Sequence, residues 1–87
     1  MITRFLVAAA VVGAMAAPAA AQASCFDLWY ERNLIYAENG YCFRTDLARR
    51  TFAGYECWTR NPSLSGYEQG RVDAIRAEER RRGCNVN

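Results

Sequence analysis

The stretch Leu28-Trp-Tyr-Glu-Arg-Asn-Leu-Ile-Tyr-Ala-Glu-Asn-Gly-Tyr-Cys-Phe43 decides the fold of this chain. Its apolar side chains recur at helical spacing on one broad face, with polar residues between them. Gly40 follows where a helix commonly ends, because glycine adopts left-handed backbone angles at little steric cost. The stretch therefore predicts a helix over residues 26–38, capped by Ser24, and an aromatic return of the chain onto that helix.

Two further helices are predicted on the C-terminal side of this stretch. Thr45 is the candidate N-cap of a short helix over residues 45–53. Ser65 and Glu68 form a capping box at the start of a longer helix over residues 66–82. The residues expected to face the core from these helices are Leu47, Phe52, Val72 and Ile75. Since no segment alternates strictly as a strand would, the sequence predicts a small all-α domain of three helices.

The first 23 residues have the layout of a secretory signal peptide, with a basic start, an apolar run over residues 5–17 and a small-x-small site ending at Ala23. We expect cleavage there, leaving a domain of residues 24–87 that is periplasmic or secreted and has no stable membrane anchor. A membrane anchor is the first alternative, but the apolar run is shorter than the ~20 residues of a spanning helix. A lipoprotein is the second, but the residue three positions before Cys25 is not aliphatic.

Length and charge exclude several classes of protein. The chain has 87 residues and a formal net charge of +2, which is too short for several domains and too weakly charged for a strongly basic nucleic-acid binder. It contains no His, and all 11 basic residues are Arg. Most acid–base and Schiff-base mechanisms use His or Lys, so we expect neither a cofactor nor that chemistry here.

Four cysteines, an even number, predict a disulfide framework that compensates for a small core. Their gaps of 16, 14 and 26 residues do not match the spacing of zinc ligands. The first predicted helix is ~19 Å long and separates Cys25 from Cys42, whereas bridged Cα atoms lie within ~7 Å. We therefore favour Cys42–Cys57 with Cys25–Cys84, and the crossed pairing, Cys25–Cys57 with Cys42–Cys84, stays open.

The opening stretch resembles the core of the YARHG domain, a family of small bacterial extracytoplasmic domains named for the string Tyr-Ala-Arg-His-Gly. The matching residues are Arg32, Asn33, Ile35, Tyr36, Ala37, Gly40, Tyr41 and Phe43. Glu38 and Asn39 stand where the family has Arg and His, so no role of that His carries over. Weaker matches are Phe52, Trp58, Glu68, Val72, Ile75 and Glu78. The resemblance implies an exported domain that acts at the cell wall, without known catalytic residues or cofactor.

The motif supplies the candidate binding residues: Arg32, Asn33, Tyr36, Ala37, Glu38, Asn39, Gly40 and Tyr41. Arg32 and Asn33 are interpreted as clamps that bond loop carbonyls or a carboxylate such as Glu68, with ligand contact as the alternative. Asn39 is interpreted as a helix-end residue. The aromatic residues Trp29, Tyr30 and Trp58 are expected in the core, and a platform for sugar rings is the alternative.

The sequence thus favours a non-enzymatic binding or interaction module of the cell envelope, with peptidoglycan or an envelope protein as its partner. A secreted inhibitor or chaperone of another envelope protein is the alternative. A third hypothesis is a wall hydrolase that uses Glu31 and Glu38, which would lie ~10 Å apart on one helix face.

Overall fold

The computed structural model describes residues 23–87, so the predicted signal peptide lies outside the described residues. Three helices follow one another in this part of the chain: α1 (Cys25–Glu38), α2 (Asp46–Thr51) and α3 (Gly66–Arg82). Among the described residues no strand is present, which confirms the predicted all-α architecture. None of the helices described is long and apolar enough to cross a membrane.

The helix ends follow from local side-chain chemistry. Ser24 and Ser65 each cap a helix through a reciprocal capping box, and the hydroxyl of Thr45 accepts from the backbone at the start of α2. The bounds of α1 and α3 agree with the prediction to within one residue. α2 ends at Thr51, earlier than predicted, because Phe52 already has non-helical angles and turns its ring into the core.

The core lies between α1 and the two other helices. Its main cluster joins Trp29 and Ala37 of α1 to Ala48 and Phe52, and Phe43 and Leu47 pack against this cluster. The buried residues of α3 are Val72 and Ile75, as predicted, and Val72 is fully buried. Burying an aliphatic side chain of this kind stabilises the fold by about 1.5–3 kcal/mol, so these few residues carry a large share of a small core.

Two disulfides staple the domain. The first, called the end bridge, joins Cys25 to Cys84 with Cα atoms 5.4 Å apart and links the start of α1 to the chain just after α3. The second, called the loop bridge, joins Cys42 to Cys57 with Cα atoms 4.9 Å apart and encloses α2. The favoured pairing is confirmed, and the crossed pairing that stayed open is excluded.

The turn after α1 anchors the linker that precedes α3. Gly40 has φ +81°, the left-handed conformation predicted for it. Its carbonyl oxygen accepts from the backbone N–H groups of Trp58 at 2.8 Å and Thr59 at 3.1 Å. The N–H of Cys42 in turn donates to the carbonyl of Thr59 at 2.9 Å. A linker without helical structure is therefore held against the end of α1 by three backbone hydrogen bonds and the loop bridge.

Candidate binding groove

A polar groove of about 470 Å³ lies where α1, the linker and α3 meet. Four predicted motif residues line one side of it: Arg32, Asn33, Tyr36 and Tyr41. The linker and α3 supply the other side with Arg60, Asn61, Pro62, Leu64, Gln69 and Arg76. No acidic side chain is among these lining residues. We call this site the arginine groove.

Arg32 is a structural clamp, as predicted, but its partner differs from the one expected. Its guanidinium donates from Nε to Oε1 of Glu79 at 2.8 Å and from Nη2 to Oε2 at 3.1 Å, and both side chains are largely buried. The expectation of Glu68 was wrong because α1 and α3 run antiparallel. That register sets Arg32 opposite Glu79 and sets the C-terminal end of α1 opposite Glu68.

Asn33 is buried, and its amide Nδ2 donates to the carbonyl of Trp29 at 2.9 Å, within α1. The predicted bond to a loop carbonyl was therefore wrong, because the preceding turn of the helix offers a nearer acceptor. Asn39 ends α1, as interpreted from the sequence. Its Nδ2 donates to the carbonyl of Ile35 at 2.8 Å and to Oε2 of Glu68 at 3.1 Å, so it ties the end of α1 to the start of α3.

The aromatic return predicted after α1 is present. The rings of Tyr36 and Tyr41 have centroids 5.7 Å apart, and Tyr41 meets Phe43 edge-on at 4.9 Å. Edge-to-face pairs of this kind are stabilising, so they fix Tyr41 at the wall of the arginine groove. Ala37 lies in the core at 3% exposure and lines neither side of the groove.

Two arginines give the groove its charge. Arg60 and Arg76 are exposed, and no carboxylate or other hydrogen-bond partner engages either of them within residues 23–87. Because the charge of Arg32 is balanced by Glu79, Arg60 and Arg76 leave the groove with uncompensated positive charge. A guanidinium presents a planar fork of N–H donors that matches a carboxylate in two-point contact. The groove can therefore hold an anionic group.

The carboxylates named in the hydrolase hypothesis lie in another cavity. Glu31, Glu38 and Glu68 line a hollow of about 520 Å³ between α1 and the start of α3. Glu31 forms an ion pair with Arg71. The backbone N–H of Ser65 is the main cause that holds the pKa of Glu68 below its ordinary value, which keeps that carboxyl ionised. A general acid needs the opposite shift of its pKa.

Two aromatic residues predicted to lie in the core are exposed, and two arginines of the groove were not predicted. Trp29 is buried at 3% exposure, as predicted, but Tyr30 is 38% exposed and Trp58 is 69% exposed, so assigning them to the core was wrong. Trp58 stays outside because its backbone N–H is bonded to the carbonyl of Gly40 and its indole lies over that residue, which places the ring on the outer side of the turn after α1. Arg60 and Arg76 carry no signal in the sequence, since an isolated arginine in a linker or on a polar helix face forms no pattern.

The described residues form a small, disulfide-stabilised helical domain with a polar, positively charged groove. The YARHG domain family matches residues 3–80, and the chain belongs to this family of small extracytoplasmic domains. The two disulfides agree with an exported protein. Comparisons with curated proteins and with solved structures gave no match. Within residues 23–87, no group of three or more His, Cys, Asp or Glu side chains could hold a metal ion.

Proposed function

We propose that this protein is a non-enzymatic binding module of the bacterial cell envelope, periplasmic or secreted, and that it holds its ligand in the arginine groove. The observation that carries the proposal is the pair Arg60 and Arg76, which have no partner among residues 23–87 and face a groove without acidic residues. A volume of about 470 Å³ is within the range of small-ligand sites.

Peptidoglycan is the ligand that this chemistry favours within the envelope. Its stem peptides carry carboxylates, which suit the two arginines, and amides, which suit side chains that both donate and accept hydrogen bonds. The groove supplies such side chains in Asn61 and Gln69, and the hydroxyls of Tyr36 and Tyr41 add further polar contacts.

A pull-down on purified sacculi tests the proposal. The oxidised protein is expected to be retained, and the double variant Arg60→Ala/Arg76→Ala to bind at least about tenfold more weakly, since a hydrogen bond to a charged group is worth about 1.5–3 kcal/mol. The matched control is Arg44→Ala/Arg50→Ala, which removes the same charge from exposed residues outside the groove. An equal loss in the control would reduce the interaction to unspecific charge attraction and refute the groove.

The inhibitor or chaperone hypothesis is supported by a separate surface. Phe26, Tyr30 and Tyr55 are 38–44% exposed. Tyr30 and Tyr55 pack on the buried ring of Phe52, with ring centroids 5.2 and 6.1 Å from it, and Phe26 packs on Tyr30 at 6.3 Å. Exposed aromatic patches are typical of protein interfaces. Crosslinking in intact cells tests this alternative: one defined protein captured by the wild type and lost with Tyr55→Ser would favour it over the wall ligand.

We favour binding over hydrolysis because two of the three carboxylates in the cavity between α1 and the start of α3 are already engaged. Glu31 is paired with Arg71, and the pKa of Glu68 is lowered, chiefly by the N–H of Ser65. Release of soluble fragments from sacculi by the purified protein, lost with Glu38→Gln, would contradict this assignment.

A further inference from the structure

A further cavity, distinct from the one lined by the three glutamates, lies next to the arginine groove and contains Trp58, the more exposed of the two tryptophans in residues 23–87. Trp58 is 69% exposed, whereas Trp29 is 3% exposed and belongs to the core. Leaving a large aromatic side chain in water has a free-energy cost, so an exposed tryptophan held in a fixed position needs an explanation.

The indole of Trp58 lies with one face on Gly40. A Cβ atom added at Gly40 would stand 2.2 Å from Cε2, 2.4 Å from Cζ2 and 2.5 Å from Cδ2 of the indole. Near-equal distances to three bonded ring atoms place Gly40 beneath the plane of the ring. The N–H of Trp58 also donates to the carbonyl of Gly40 at 2.8 Å, and the loop bridge fixes the preceding residue. The ring is therefore held flat, with its opposite face open to solvent.

The surroundings of the ring are polar. The cavity has a volume of about 470 Å³, and besides Trp58 it is lined by Glu38, Asn39, Thr59, Asn61, Pro62 and Ser63. Both N–H groups of the Asn39 amide are engaged, which leaves its Oδ1 as an acceptor. The side-chain amide of Asn61 has no partner among residues 23–87 and can both donate and accept. The site is thus a flat apolar plate with hydrogen-bonding groups around its rim.

We infer that this cavity is a sugar subsite in which Trp58 stacks on a pyranose ring of the N-acetylhexosamine type. A pyranose presents an apolar face of C–H groups and a rim of hydroxyls, which is the same pattern as the cavity in complementary form. Its acetamido group carries one donor and one acceptor, and Asn39 and Asn61 offer the matching acceptor and donor. An apolar side chain from a protein partner would cover the ring but would leave these polar groups without partners when buried.

The sugar subsite is continuous with the arginine groove, because Asn61 and Pro62 line both. A glycan that carries an acidic substituent can thus place a sugar on Trp58 and its carboxylate at Arg60 and Arg76. This step rests on the proposed function and narrows it: the ligand class becomes an amino-sugar glycan with an attached acid. Trp58 belongs to the sugar end alone and Arg60 and Arg76 to the acidic end alone, while Asn61 is shared.

The test uses a soluble β-1,4-linked tetramer of N-acetylglucosamine and acrylamide quenching of tryptophan fluorescence. Because Trp29 is buried and Trp58 exposed, quenching in the free protein reports mainly on Trp58. We expect the tetramer to protect the fluorescence of Trp58 from acrylamide quenching, and this protection to saturate as the tetramer concentration rises. Trp58→Ala, followed by calorimetry since the reporter is lost, is expected to weaken tetramer binding at least tenfold. The matched control is Tyr67→Ala, which removes an aromatic ring that is 77% exposed and lies outside the cavity.

A second variant keeps the inference falsifiable if Trp58→Ala perturbs the turn. Asn61→Ala removes an exposed side chain without a partner, so the fold is expected to stay intact while tetramer binding weakens several-fold. The sugar subsite is overturned if the tetramer gives no protection, or if both variants bind it like the wild type. Retention on sacculi that depends on Arg60 and Arg76 without tetramer protection would overturn the subsite and leave the proposed function standing. If tetramer binding needs Trp58 but retention on sacculi does not depend on Arg60 and Arg76, the sugar subsite stands and the proposed role of the arginine groove is overturned.

Discussion

Replacement of Gly40 by alanine tests how the turn after α1 and the exposed tryptophan depend on each other. The substitution adds a methyl group to a residue with φ +81° and places it 2.2 Å from Cε2 of Trp58. No ring atom can remain at that distance, so the indole of Trp58 must move away from the backbone of Gly40. We expect a loss of stability from both the backbone and the displaced ring.

The two contributions can be estimated separately. A left-handed backbone costs a non-glycine residue about 1–2 kcal/mol. Trp58 is 69% exposed, so roughly a third of its surface is covered, and for a side chain of about 200 Å² this amounts to about 1.5 kcal/mol at 25 cal/mol per Å². Gly40→Ala is therefore expected to lower the free energy of unfolding by about 2.5–3.5 kcal/mol, or Tm by roughly 10–25 °C for a domain of this size.

Gly83 supplies a matched control for the backbone contribution. It also has positive φ, +68°, but nothing lies within 4 Å of a Cβ added there. Gly83→Ala is expected to cost only about 1–2 kcal/mol in urea denaturation. In a Trp58→Ala background the cost of Gly40→Ala is expected to fall to the same value, because the clash is gone. If both glycine variants lose the same free energy of unfolding in the wild-type background, the proposed contact of the Trp58 indole with Gly40 is refuted.

Three further predictions concern the ion pair of Arg32 with Glu79, the two disulfides and the loss of stability at low pH. Arg32→Ala leaves Glu79 largely buried without its partner and is expected to cost about 2–4 kcal/mol in urea denaturation; a loss below about 1 kcal/mol would show that the pair is dispensable. Serine replacement of both cysteines of the end bridge, with a sequence separation of 59, is expected to cost about 1 kcal/mol more than the same change at the loop bridge, with a separation of 15, because the longer loop restrains the unfolded chain more; the reverse order would contradict this account. The pKa of Glu68 is lowered from its ordinary value of 4.5, so its capping bond stabilises α3 above that pH and is lost as the pH falls through the folded-state pKa; amide exchange in the first turn of α3 should show this acid step, and Glu68→Gln should abolish it.

The parts of the fold that could be predicted are those governed by local chemistry. The capping box of Ser65 bounds α3 correctly because both of its hydrogen bonds lie within four residues. The length of the first helix compared with the reach of a disulfide excludes Cys25–Cys42, whereas the choice between the favoured and the crossed pairing comes from the fold itself. The left-handed turn at Gly40 is predictable because few other residue types adopt that backbone conformation.

The remainder depends on how distant segments meet. The partner of Arg32 is set by the register of α1 against α3, which no local pattern encodes, and Glu79 rather than Glu68 takes that place. Trp58 is as apolar as Trp29, yet its position is set by backbone bonds of the linker to Gly40. The groove arginines converge only because linker and helix meet, so this part of the site had no signature in the sequence.

The end bridge has a consequence for how this domain can be presented. With the Cα atoms of Cys25 and Cys84 5.4 Å apart, the polypeptide arrives and departs at one spot on the surface. Adjacent entry and exit points are the geometry that allows a domain to be inserted into a loop of a host protein without separating the ends of that loop. The Gly40 turn lies at the far end of α1, about 20 Å away along 14 residues. A host chain or linker attached next to the end bridge would therefore hold the domain at one end, with the proposed sugar subsite at the opposite end of α1.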